Sequence, residues 1–180
     1  MRHFISSPRG LRTLEEIAVI RVFKPGVIPP QKGFNNKLAA TLTSQVVGRY
    51  FDLEEIKQAA PNARHPLFND VPCDYGVRMG NQLERAISRL LIDIHTRRAK
   101  ITLSRPDDEV PPCIMEIQFL VREGRVITIA YMRSWDLGLG KAYDVHLFQR
   151  LGLHVAIGLN MHQGEVIVFA GSAHTYINQP

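Results

Sequence analysis

Two cysteines, Cys73 and Cys113, are the only thiols in this chain of 180 residues. They stand far apart, with no CxxC pair and no metal-ligand spacing, which argues against a zinc site. No apolar run approaches the ~20 residues that span a bilayer. The opening Met1-Arg2-His3-Phe4 lacks the apolar stretch of a secretory signal, so the chain reads as cytoplasmic. A basic tail is also missing: 22 Lys and Arg against 17 Asp and Glu leave a net charge of +5, spread along the sequence. That excess favours an anionic partner such as a phosphorylated metabolite, and its dispersion weakens a nucleic-acid reading. There is no internal repeat and no low-complexity segment. With 45% hydrophobic and 22% charged residues, the chain suits one domain over residues 1–180, built on a single core.

Periodicity predicts the elements. An alternating run over 17–23 precedes Pro25, Pro29 and Pro30, which end any regular element. Asn36 is placed to cap a helix over 37–47 that ends at Gly48, and Asp52-Leu53-Glu54-Glu55 has the form of a capping box. Turn formers fill 61–74. Leu83, Ala86, Ile87, Leu90, Leu91 and Ile94 lie on one stripe of a helix over 82–94. Strands are expected over 99–104, 114–121 and 126–132, the last two joined by the turn Arg122-Glu123-Gly124-Arg125. A helix over 145–156 and a strand over 165–170 complete an α+β domain, with helices covering a mixed or mostly antiparallel sheet.

Three places break this packing logic. Pro111-Pro112-Cys113 sets a thiol behind two rigid prolines at a strand entrance, where nearby arginines would lower its pKa. In Met132-Arg133-Ser134-Trp135-Asp136, a guanidinium fork beside a hydroxyl suits phosphate. In Gly171-Ser172-Ala173-His174-Thr175-Tyr176, His174 and Tyr176 share one side of an extended segment and would reach one sugar. Each has a plainer reading. A lone cysteine is usually a small buried hydrophobe, Arg133 would pair with Asp136, His174 would be a satisfied core histidine, and Gly138-Leu139-Gly140 would only turn the chain.

Taken in order, these segments resemble the thymidylate synthase superfamily. The likeness runs from Tyr75-Gly76-Val77-Arg78 through Thr96-Arg97-Arg98, Pro111-Pro112-Cys113 and Met132-Arg133-Ser134-Trp135-Asp136 to His174-Thr175-Tyr176. Ser7-Pro8-Arg9-Gly10 is similar to the family's phosphate-loop region. The resemblance implies a three-layer fold and a homodimer packed back to back through its sheets. It makes Cys113 the nucleophile that adds to C6 of a pyrimidine nucleotide, with 5,10-methylenetetrahydrofolate as one-carbon donor and no metal. It places Arg133, Ser134 and Arg9 on the phosphate, and carries Arg97 and Arg98 across the dimer to the partner's phosphate. Asp136 would face the pterin, Tyr75 would lie near C5, and His174 and Tyr176 would bind the sugar hydroxyl.

The chain also departs from the family. Asp144 stands where thymidylate synthases carry an Asn that reads the uracil edge. An amide both donates and accepts, whereas an ionised carboxylate only accepts and so suits the exocyclic amine of cytosine. In this the chain resembles the deoxycytidylate and cytidylate hydroxymethylases of the superfamily. The expected function is therefore C5 hydroxymethylation of a cytidine 5′-monophosphate. The alternatives are thymidylate synthase chemistry on deoxyuridylate and a nucleotide-binding homologue without turnover. Asp144 is equally suited to cap the helix that opens at Val145. The stretch Ala39-Ala40-Thr41-Leu42-Thr43-Ser44 has neither the Glu nor the Trp of the family's first helix, and the sequence stops at Pro180, before the family's folate-closing segment.

Overall fold

In the computed structural model of this chain the described residues are 2–6, 12–31, 34, 37, 39, 75–138 and 140–177. Arg9, Cys73, the Asp52 capping box and the 61–74 loop lie outside them. So does the helix expected over 37–47, apart from helical Lys37 and Ala39. The described elements are β1 (Arg2–Ser6), β2 (Arg12–Phe23), α1 (Tyr75–Met79), α2 (Gln82–Ile92), β3 (Lys100–Thr102), β4 (Ile114–Arg122), β5 (Arg125–Asp136), α3 (Lys141–Gly158) and β6 (His162–Tyr176). The strands form one six-stranded sheet in the order β1-β2-β6-β5-β4-β3. β5 and β6 run parallel and the other neighbours antiparallel, so the fold is α+β with a mixed sheet.

Local chemistry explains the clearest elements. The β4–β5 hairpin turns at Glu123 (φ 51°) and Gly124 (φ 69°), the two left-handed residues that a tight hairpin matching strand twist requires. α2 buries Leu83, Ala86 and Leu90 from its apolar stripe, and stops at Asp93, short of the expected Ile94. α3 buries Val145, Phe148, Leu151 and Val155 against the sheet. Its helical turns begin at Lys141, with Gly140 as N-cap. Asp144 is therefore not the cap: it lies in the first turn, where its N–H donates to Gly140 O at 2.9 Å.

One face of the sheet is core. Ile101, Ile117, Ala130 and Val168 form a cross-strand row, and each is fully buried. The opposite face carries the row Glu116, Tyr131, Phe169 and Ile20, with Tyr131 stacked on Phe169 at 5.5 Å.

The sheet bends at a single level. Met132 and Trp135, three positions apart on β5, are both buried, as are Ala170 and Ala173 on β6, so the inward alternation changes step between them. Arg133 and Gly171 occupy the step. Ala18 on β2 takes a left-handed φ of 54° beside them, and β4 shifts register between Ile114 and Glu116. A Cβ at Gly171 would stand 3.2 Å from Arg133 O, so the close approach favours glycine. The aligned bend explains why β5 and β6 outrun their expected ends: alternation fails there although pairing continues.

Candidate active site

Cys113 sits at the entrance to β4, beside the bend. The Arg133 backbone N–H donates to Cys113 O at 3.0 Å. The Arg133 guanidinium donates through Nε to Pro111 O (3.0 Å) and Pro112 O (3.2 Å), and through Nη2 to Pro111 O (2.8 Å). Arg133 is thus committed to the Pro-Pro-Cys segment, and Asp136 accepts from Gly138 N–H (2.8 Å) instead. A guanidinium has five N–H donors, so Arg133 retains donors that these bonds do not use.

A second anchor comes from α1. The buried Tyr75 hydroxyl accepts from Ile114 N–H at 3.5 Å, next to Cys113. One turn on, Arg78 Nη1 donates to Leu103 O (3.0 Å) and pairs with Asp108 at 2.8 Å. Asp108 also accepts from Arg105 N–H (2.7 Å). That backbone bond, with help from Arg78, holds its carboxyl below the usual carboxylate range. Together these contacts fix the loop that delivers the prolines.

Past the bend, paired residues share a face. Asp136 is opposite His174, and His174 is opposite Glu15 on β2. Ser134 Oγ lies 3.5 Å from His174 Nδ1, and Tyr176 meets the His174 ring edge-on at 5.1 Å. Ser172 Oγ donates to Glu15. Burial pushes the His174 pKa down, against the opposing pull of Asp136 and Glu15, and so favours a neutral ring with one donor and one acceptor. Glu15 was invisible as a site residue in the sequence, because only the antiparallel register brings β2 alongside His174.

Protonation overturns two expectations. Burial raises the Cys113 pKa. Arg133 pulls the other way, but Asp144 and Asp136 add to the rise, so the thiol keeps its proton where the arginines were expected to remove it. Asp144 retains some surface, yet its carboxyl is enclosed. Burial above all, and then the neighbouring charge of Asp136, raise its pKa from 3.8 to about 8. A neutral carboxyl replaces the ionised acceptor assumed from the sequence.

Arg97 and Arg98 are exposed on the segment before β3. Their carbonyls accept from Gln118 and Arg89 (both 2.8 Å), and no described contact joins them to the Cys113 cluster. Among the described residues no group of three or more His, Cys, Asp or Glu is placed to hold a metal. No described helix is long and apolar enough to cross a membrane.

Residues 56–180 match the profile of the family described as thymidylate synthase. Thymidylate synthase 1/2 of Encephalitozoon cuniculi is 30% identical over 102 residues, covering 54% of this chain and 35% of that protein. The thymidylate synthase of Equine herpesvirus 2 is 31% identical over 113 residues, covering 61% of this chain and 39% of its own. The bifunctional dihydrofolate reductase-thymidylate synthase of Zea mays is 30% identical over 115 residues, covering 62% of this chain and 22% of its own. The chain spans well under half the length of these relatives.

Proposed function

The chain belongs to the thymidylate synthase family, and from that premise we propose that it binds a pyrimidine nucleoside 5′-monophosphate and activates C5 of the base through a Cys113–C6 bond. The observation that carries the reading is the backbone fixed on either side of the thiol: Arg133 N–H donates to Cys113 O, and Ile114 N–H donates to the Tyr75 hydroxyl. Cys113 releases its proton to solvent, sulfur bonds to C6, and the C5–C6 π pair shifts onto C5, which becomes nucleophilic. Tyr75, whose hydroxyl lies beside the Cys113 backbone, is assigned to the later release of the C5 proton. The spare donors of Arg133 and the Ser134 hydroxyl take the phosphate, joined by Arg9 and by Arg97 and Arg98 of a second copy. Neutral His174, with Tyr176, takes the sugar hydroxyl. Asp136, an acceptor at the site rim, suits the N–H donors of a pterin. A methylenetetrahydrofolate held there would supply the one-carbon unit.

Methylation of a uracil nucleotide is the leading reaction. Neutral Asp144 has one donor and one acceptor, as the family's amide does, and so matches uracil O4 and N3–H. Hydroxymethylation of a cytosine nucleotide is the second reading, favoured by the carboxyl itself. In its other arrangement that group donates to cytosine N3 and accepts from the amine.

The test is intact-protein mass spectrometry with 5-fluorodeoxyuridylate and methylenetetrahydrofolate, alongside tritium release from C5-labelled deoxyuridylate and deoxycytidylate. The expected result is an adduct and faster release from deoxyuridylate, both abolished in Cys113→Ser. An adduct that survives in Cys113→Ser overturns the nucleophile. Release from deoxycytidylate alone makes hydroxymethylation the reaction.

A further inference from the structure

Trp135 is the chain's single tryptophan. It lies on β5 just past the bend, fully enclosed, with Phe23 edge-on at 6.3 Å. Packing accounts for the ring but not for its N–H: Nε1 is buried with no hydrogen-bond partner among the described atoms. A buried donor is seldom left unpaired, and each exception asks for an explanation. The carboxyl that feels this N–H is Asp144, whose charged form it favours, although the contact falls short of a full hydrogen bond. Asp144 is placed by the first turn of α3: its N–H donates to Gly140 O, and its Oδ2 lies beside Gly140, 3.2 Å from where a Cβ there would stand.

We infer that Trp135 is a positioning residue for base recognition: its indole N–H holds one oxygen of Asp144 as an acceptor and leaves the other to carry the proton toward the nucleotide. This rests on the reading that Asp144 meets the pyrimidine edge. Cytosine and uracil present opposite donor and acceptor orders on that edge, so each needs the proton on a different carboxyl oxygen. A fixed N–H removes that choice and so selects a base. Around the pair, Asp136 faces Asp144 from β5 and Cys113 from the entrance to β4. His174 on β6 acts through Asp136, and Arg133 through Cys113.

Because no other indole is present, apo-protein fluorescence reads the contact directly. Emission titrated from about pH 6 to pH 10 is expected to change with a midpoint near pH 8. The transition should vanish in Asp144→Asn and survive in Cys113→Ser and His174→Gln. A flat wild-type titration, or one unaltered in Asp144→Asn, overturns the contact, and this holds even where Trp135→Phe fails to fold. In calorimetry, Trp135→Phe should bring the ratio of uridylate to cytidylate affinity closer to one by about fivefold, the worth of one hydrogen bond. A packing role would weaken both nucleotides equally and leave the ratio in place. That result, or a wild-type ratio already near one, overturns the selection. If Asp144→Asn abolishes the fluorescence transition but leaves base preference unchanged, the failure lies in the reading of Asp144 and not in its contact with Trp135.

Discussion

Burial keeps the proton on both Asp144 and Cys113, and this has a consequence for stability that single substitutions reveal. Between pH 4 and about pH 8 an unfolded chain ionises Asp144 while the folded chain does not, so folding stability falls as the pH climbs through that window. Each pKa unit is worth about 1.4 kcal/mol, and the total at pH 8 reaches several kcal/mol. Asp144→Asn removes the penalty and keeps the shape. Its Tm should exceed the wild type by roughly 5 °C or more at pH 8, with little difference at pH 4, by scanning calorimetry. An equal change at both pH values would mean that the carboxyl is ionised in the folded chain. The sequence made Cys113, Arg133 and His174 legible as chemistry because their residue types are unusual at strand ends. It could not show protonation, which follows from the burial of Cys113 and Asp144 beside the charge of Asp136 and has no local signature.

The elements were legible wherever one period held throughout. The α2 stripe and the β4–β5 turn follow their residues closely. Reading failed where the chain changes step. Arg133-Ser134-Trp135-Asp136 looks like a loop because the bend moves the inward position from Met132 to Trp135. Lys141 to Asp144 look like a helix approach because a carboxyl before an apolar run imitates a cap. Gly152 shows the same limit inside α3. In isolation, glycine there costs the helix roughly 1 kcal/mol relative to alanine, but a Cβ at Gly152 would stand 2.3 Å from buried Thr128 Oγ1 on β5. Tertiary contact therefore reverses the propensity. Gly152→Ala should destabilise the fold by about 1–3 kcal/mol in urea melts. In a Thr128→Ala background the same change should be nearly neutral or stabilising. A cost that persists in that background would place the clash elsewhere.

At the scale of the whole molecule, the two faces of the sheet are unequally covered. α2 and α3 close one face, whereas the other exposes Ile20 (53%), Met115 (40%) and Phe169 (37%) around an open depression of about 600 Å³, and Val22 (55%) further along β2. An antiparallel sheet with a solvated face normally alternates apolar with polar residues. Here, across β2 and β6, the outward row Val22–Ile167 and the row Ile20–Phe169 are apolar on both strands. A contiguous patch of this kind marks an association surface rather than scattered exposure. A homodimer through this face, as family membership leads one to expect, would bury it and carry Arg97 and Arg98 toward a partner's phosphate. Sedimentation velocity should accordingly give twice the chain mass at micromolar concentration. Phe169→Asp, which sets a charge against its own image across a two-fold interface, should halve that mass. If the two arginines do cross, the same variant should also bind a nucleoside monophosphate at least tenfold more weakly while its affinity for the bare nucleoside holds, since charge-assisted phosphate bonds are worth about 1.5–3 kcal/mol each. A monomeric wild type removes the dimer. A dimer whose dissociation leaves phosphate affinity intact keeps the interface but confines the phosphate site to Arg133, Ser134 and Arg9 of one chain.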